Sequence, residues 1–107
     1  MLHIVVTDPA QADILAAFEW WHEQRSIEQA QRWYRSIYVV IQGLKTSAPR
    51  CPAAPERDLV PTGLFQLTFG VGRRRTHRIV FTIVRSDVII LRVRHAAQEA
   101  LTEDDLN

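Results

Sequence analysis

The apolar residues of this chain change their period once, and that change limits what it can fold into. Between Pro9 and Lys45 they recur every three or four positions: Ile14, Ala17, Phe18 and Trp21, then Ala30, Trp33, Ile37, Val40 and Leu44. Such spacing draws one stripe along a helix. From Gly63 onward they recur at every second position: Phe65, Leu67, Phe69, then Ile79, Phe81, Ile83, then Ile89, Leu91, Val93. That is the alternation of strands covered on one face. A chain of 107 residues has room for one core, so helices and strands must share it in a single domain over residues 1–107.

Local signals mark the boundaries. Leu2–Thr7 reads as a first strand, apolar enough to be covered on both faces. In Asp8-Pro9-Ala10-Gln11, Asp8 can accept from free helix N–H groups, Pro9 suits the first turn and Gln11 completes a capping box, so a helix is expected at Pro9–Gln24. Ser26-Ile27-Glu28-Gln29 is a second box and opens a helix over Ile27–Lys45. So short a break makes the two an antiparallel hairpin, with Trp20, Trp21, Trp33 and Tyr34 read as core or hairpin packing. Ala48 to Thr62 holds four of the five prolines and reads as an ordered connection. Strands then follow at Gly63–Gly70, Arg74–Val84 and Val88–His95, joined at Val71-Gly72 and Ser86-Asp87, short enough for antiparallel pairs. A last turn begins at Thr102, capped through Asp105. The expected fold is α+β, ordered β-α-α-β-β-β, with a small twisted, mainly antiparallel sheet carrying a helical hairpin on one face.

Composition narrows the function. With 47% hydrophobic and 23% charged residues the chain is globular rather than disordered. Its one cysteine, Cys51, cannot form an internal disulfide, which suits a reducing compartment. No apolar run approaches the ~18 residues of a membrane span, and Met1-Leu2-His3-Ile4 begins no signal peptide, so a cytoplasmic protein is expected. His3, His22, His77, His95 and Cys51 lack metal-ligand spacing, and Gly70-Val71-Gly72 opens no helix for a phosphate. No cofactor is expected. Charge is uneven: Leu59–Gln98 carries seven arginines against Asp87 alone, then Glu99–Asp105 carries four acids. Alternation would gather Gln66, Thr68, Arg74, Thr76, Arg78, Arg92 and Arg94 on the open face of the sheet, an arginine-rich surface for a polyanion or an acidic peptide. By the same alternation His95 points with Val93 toward the helices, unless a bulge or strand end at Arg94 turns it outward.

The order of elements, with Gly63-Leu64-Phe65-Gln66-Leu67, Thr76-His77-Arg78-Ile79-Val80-Phe81 and Val88-Ile89-Ile90-Leu91-Arg92-Val93-Arg94-His95, resembles the RelE/ParE superfamily of toxins from type II toxin–antitoxin systems. The likeness runs from Ile4 through Leu101 and is tightest in the last three strands. It implies a toxin that arrests growth, of the kind that stabilises plasmids, held in a heterodimer or heterotetramer by an antitoxin contacting Arg74, Arg78, Arg92 and Arg94. Two activities occur in the superfamily. RelE- and YoeB-like members cleave mRNA on the ribosome, and Pro55-Glu56, Arg78 and Arg94-His95 match their motif, with Glu56 as base, His95 as acid and Arg78 on the phosphate. Ala96-Ala97 stands where those nucleases carry a tyrosine, no Tyr follows Tyr38, and Lys45 is the sole lysine. These departures favour the ParE-like branch, which poisons DNA gyrase. A non-toxic nucleic-acid-binding module is the remaining alternative.

Overall fold

The computed structural model describes residues 1–106 of the chain. Strand β1 (His3–Val6) leads into helix α1 (Asp8–Gln24) and helix α2 (Ile27–Ser47), followed by strands β2 (Phe65–Phe69), β3 (His77–Val84) and β4 (Asp87–His95). One-turn 3₁₀ helices lie at Ala48–Arg50, Arg57–Leu59 and Glu103–Leu106. The sheet order is β1-β4-β3-β2, with β1 parallel to β4 and the other pairs antiparallel. This is the expected α+β arrangement of a helical hairpin on a small, mainly antiparallel sheet. Among the described residues no helix is long and apolar enough to cross a membrane.

The first helix starts differently from the expected box. Thr7, not Asp8, is the cap: its hydroxyl accepts from Ala10 N–H at 3.4 Å, and Asp8 is already helical, where its charge complements the helix dipole. Gln11 donates back to the Val6 carbonyl at 3.3 Å instead of closing a box. Ser26 caps α2 as expected, accepting from Gln29 N–H at 3.1 Å. Along α2 the buried stripe is Ala30, Trp33, Ile37, Ile41 and Leu44, with Ile41 in the place foreseen for Val40. The aromatic expectation holds in part: Trp33 is buried, Trp21 packs against the core and Tyr34 meets Phe18 across the hairpin at 5.6 Å, whereas Trp20 is 50% exposed.

A bulge breaks the alternation of β4. Val80 pairs with Arg92 but Phe81 pairs with Ile90, leaving Leu91 as the extra residue. Before the bulge Val88 and Ile90, not Ile89 and Leu91, join the helix-side core; after it Val93 does, as expected. The bulge also occurs three residues before the Arg94 position considered for it. Its carbonyls are satisfied by Thr7, whose hydroxyl donates to Ile90 O at 2.8 Å and lies 3.2 Å from Leu91 O.

The face opposite the helices is not open. The proline-rich connection and the C-terminal tail cover it, building a second core from Ala54, Leu64, Val80 and Leu101, with Leu91, Val60 and Leu106 packed against it. The connection also shields the outer edge of β2. Ala54 N–H donates to Leu64 O at 2.8 Å and Gln66 N–H to Pro52 O at 3.0 Å, so that edge is paired rather than left as a template for aggregation. Of the polar side chains expected on an exposed face, Gln66 and Arg78 therefore lie partly covered by this lid of chain, whereas Thr68 and Arg74 stay exposed.

Candidate functional site

Of Glu56, Arg78 and His95, the first two meet and His95 stands apart from them. Arg78 and Glu56 form a forked ion pair on the face beneath the lid: one amino group donates to Oε1 at 2.8 Å, the other to Oε2, and Arg78 also donates to Gln66 Oε1 at 3.1 Å. Leu101 N–H donates to the same Glu56 carboxylate at 2.8 Å, so one carboxylate ties connection, sheet and tail together. Both side chains are largely buried, at 6% exposure for Glu56 and 13% for Arg78. The Arg78 guanidinium holds the Glu56 carboxyl down at about 2, against the opposing effect of burial.

His95 stands on the other face. Its register partner is His77, whereas that of Arg78 is Arg94, so the side chains of Arg78 and His95 leave neighbouring positions in opposite directions. The two imidazoles lie edge to face, 5.2 Å between centroids, and His77 continues the stack to Trp33 of α2 at 5.2 Å. His77 is buried, and burial, helped by the nearby His95, lowers it to about 4. His95 itself is exposed at the strand end and accepts from Ala97 N–H through Nδ1 at 3.0 Å, which leaves Nε2 to carry the proton of the neutral ring. Both expectations for His95 thus hold one part of its environment: it keeps the helix-side direction, yet the end of the strand leaves it in solvent.

The four arginines assigned to a partner separate as well. Arg92 sits on the outer edge of β4 where β1 has ended, and grips Asp13 of α1 with two donors, at 2.7 and 2.8 Å. Its third donor reaches the Asp105 carbonyl at 3.0 Å. Arg94 donates to the Glu99 carbonyl at 3.1 Å and has Asp105 at 3.9 Å. With Arg78 bound to Glu56, three of the four are used inside the fold. The segment Glu99–Asp105 lies back on the arginines of the last strand through the Glu99 and Asp105 carbonyls and the Asp105 carboxylate, while the side chains of Glu99, Glu103 and Asp104 stay exposed.

Arg74 alone remains exposed, in the loop between β2 and β3 with Arg73 and Arg75. Two glycines shape that loop. Gly72 has φ +87°, and a Cβ on Gly70 would meet the Arg74 carbonyl oxygen at 1.8 Å, because the backbone folds back directly over it. Thr76 N–H donates to Phe69 O at 3.0 Å and closes the loop. Between this loop, the last turns of α1 and the end of β4 runs a groove of about 620 Å³, lined among others by Trp20, Trp21, Arg25, Arg73, Arg74 and His95. The guanidinium of Arg25 lies over the Trp20 ring, 5.6 Å from its centroid. Neither Trp20 nor Arg25 was singled out from sequence as a site residue. The signal lay in the adjacent Trp20-Trp21 pair, since a helix stripe that takes Trp21 inward leaves Trp20 out.

A second surface lies on the outside of the hairpin. Leu15, Phe18 and Tyr34 line a shallow apolar depression with Gln31 and Arg35, and Val39 nearby on α2 is 73% exposed. Phe18 and Tyr34 meet edge to face across it at 5.6 Å.

Residues 4–100 match the family model described as the ParE toxin of the type II toxin–antitoxin system parDE. Among solved structures, a chain of the chromosomal ParDE TA system from P. aeruginosa is similar in fold, with a TM-score of 0.73 at 22% sequence identity, covering 89% of this chain and 96% of that chain. Among curated proteins no match is found.

Proposed function

The chain belongs to the ParE toxin family of type II toxin–antitoxin systems, and on that footing we propose that it is a single-domain toxin, residues 1–107, that arrests growth by poisoning DNA gyrase in the cytoplasm until a cognate antitoxin binds it. The observation that carries this reading is the separation of Arg78 and His95 onto opposite faces of the sheet. Ribonucleolytic cleavage needs a base, an acid and a cation within hydrogen-bond reach of one phosphate. Here the carboxylate foreseen as base is held at about 2 by the guanidinium foreseen as phosphate ligand, which leaves neither free for a substrate. A base so acidic takes up a proton poorly at neutral pH.

For the antitoxin, the outer face of the hairpin is the better surface. Leu15, Phe18, Tyr34 and Val39 offer the apolar contact that an amphipathic segment seeks, and Arg35 stands at its rim. Arg92 and Arg94, by contrast, already have partners within the chain.

The test is direct. Purified toxin is incubated with gyrase and supercoiled DNA, and separately with a translating ribosome system. Accumulation of gyrase-linked cleaved DNA with intact mRNA is the expected result. Codon-dependent mRNA cleavage that is lost in His95→Ala overturns it in favour of the nuclease.

A further inference from the structure

We propose that the groove between α1 and the β2–β3 loop is a binding site for single-stranded nucleic acid, with phosphates held by Arg73 and Arg74 and a base stacked on the Trp20–Arg25 platform. Several observations converge on it. Cations predominate along the groove, and its one acid is spent: Asp13 gives both carboxylate oxygens to Arg92 and accepts from Val93 N–H at 2.9 Å. Among the described residues neither Arg73 nor Arg74 has a carboxylate within ion-pair distance. Two adjacent guanidinium groups on a closed loop present forked donors to successive phosphates, and the loop is shaped before any ligand arrives.

The flat half of the site points to an unpaired strand rather than a duplex. Trp20 is half exposed, with the Arg25 guanidinium already laid over its ring and Trp21 meeting it edge to face at 5.2 Å. A splayed base extends that stack, whereas bases within a duplex have no free face to offer. At about 620 Å³ the groove falls in the roughly 300–1,000 Å³ range of sites for ligands of nucleotide size. An acidic peptide is the weaker occupant. It would leave the indole platform without a stacking partner, while the hairpin face supplies the apolar contact that a folded peptide needs.

This inference goes beyond gyrase poisoning and stands apart from it, since it concerns the isolated chain and a strand. The experiment measures fluorescence anisotropy of labelled dT12 with the full-length chain between about 50 and 200 mM salt. Arg73→Glu/Arg74→Glu is expected to weaken binding at least about tenfold and to lower the log–log salt slope by roughly 1.4, two phosphate contacts for a single strand. Trp20→Ala is expected to weaken it about five- to hundredfold with the slope unchanged, and Trp20→Phe to recover most of the loss. All of these positions are exposed or half exposed, and matching thermal melts confirm that the variants fold. Absence of binding at the lowest salt overturns the proposal. So does indifference to both sets of variants, or competition by duplex DNA or oligo-glutamate as strong as that by unlabelled dT12. Gyrase-linked cleavage is read in a separate assay, so either reading can fail alone.

Discussion

Asp13 and Arg92 close a gap that the sheet leaves open. β1 pairs with β4 only as far as Ile90, and past that point the Asp13 carboxylate takes the place of a neighbouring strand, accepting from Val93 N–H while it holds the Arg92 guanidinium. Asp13→Ala therefore orphans a backbone donor and a partly buried cation together. A loss of about 3 kcal/mol in urea unfolding is expected, with the larger part recovered when Arg92→Met is added. If the two changes are additive, the pair is not coupled in this way. The same geometry makes Arg92→Glu a folding mutant, unsuited to mapping an antitoxin surface.

Acid should unfold the protein in two stages. His77 sits at about 4 in the folded chain against the ordinary histidine value of 6.5. The unfolded chain thus binds a proton between those values that the folded chain refuses, and stability is full above 6.5 and falls as pH drops to 4. A shift of that size corresponds to about 3 kcal/mol at most. Glu56 acts lower: its carboxyl lies near 2 against 4.5, so its contribution is full above 4.5 and is lost as pH falls through 2. Melting temperature against pH in His77→Gln should lose the upper stage and in Glu56→Gln the lower one. An unchanged upper stage in His77→Gln assigns it to another group.

Gly70→Ala should disturb the arginine loop without unfolding the chain. The added carbon meets backbone, not a flexible side chain, so the Phe69–Thr76 closure must shift. The expected signature is a loss of about 1–3 kcal/mol together with faster amide exchange at Thr76. Gly72→Ala, strained only by its positive φ, should cost about 1 kcal/mol. Equal effects of the two would remove the steric account of Gly70.

On the hairpin, Leu15→Glu and Val39→Glu change exposed side chains and should leave the melting temperature within a few degrees. Each is expected to weaken the antitoxin complex at least tenfold, measured by calorimetry with the cognate partner. Full affinity in both would exclude this face as the docking surface.

What the sequence revealed, and what it hid, follows from the range of the forces involved. Ser26 and Gln29, Thr102 and Asp105, and the alternation of Phe65, Leu67 and Phe69 are local, and each did in the structure what spacing implied. Leu91 was beyond reach, because an extra residue in a strand is visible only against the partner strand, and its stabiliser Thr7 lies far off in sequence. The arginines misled for a related reason. Alternation fixes which side of a sheet a residue takes, but not whether another segment later covers that side, and here residues around Ala54 and Leu101 do so. Trp20 was the opposite failure: its exposure follows from helical periodicity, and size alone argued it inward.

The parallel seam of β1 and β4 joins His3 to Asp87 and Val6 to Ile90, pairing the opening strand with the closing one. Synthesis runs in the other direction from such a seam. While the ribosome is still making the middle of the chain, β1 has no neighbour, α1 has no sheet to lie on, and the carboxylate of Asp13 has no cation. Contacts this distant along the chain make for slow, all-or-none folding. A nascent chain of this design consequently cannot complete its sheet until the last strand is free of the ribosome and can slide into place beside β1.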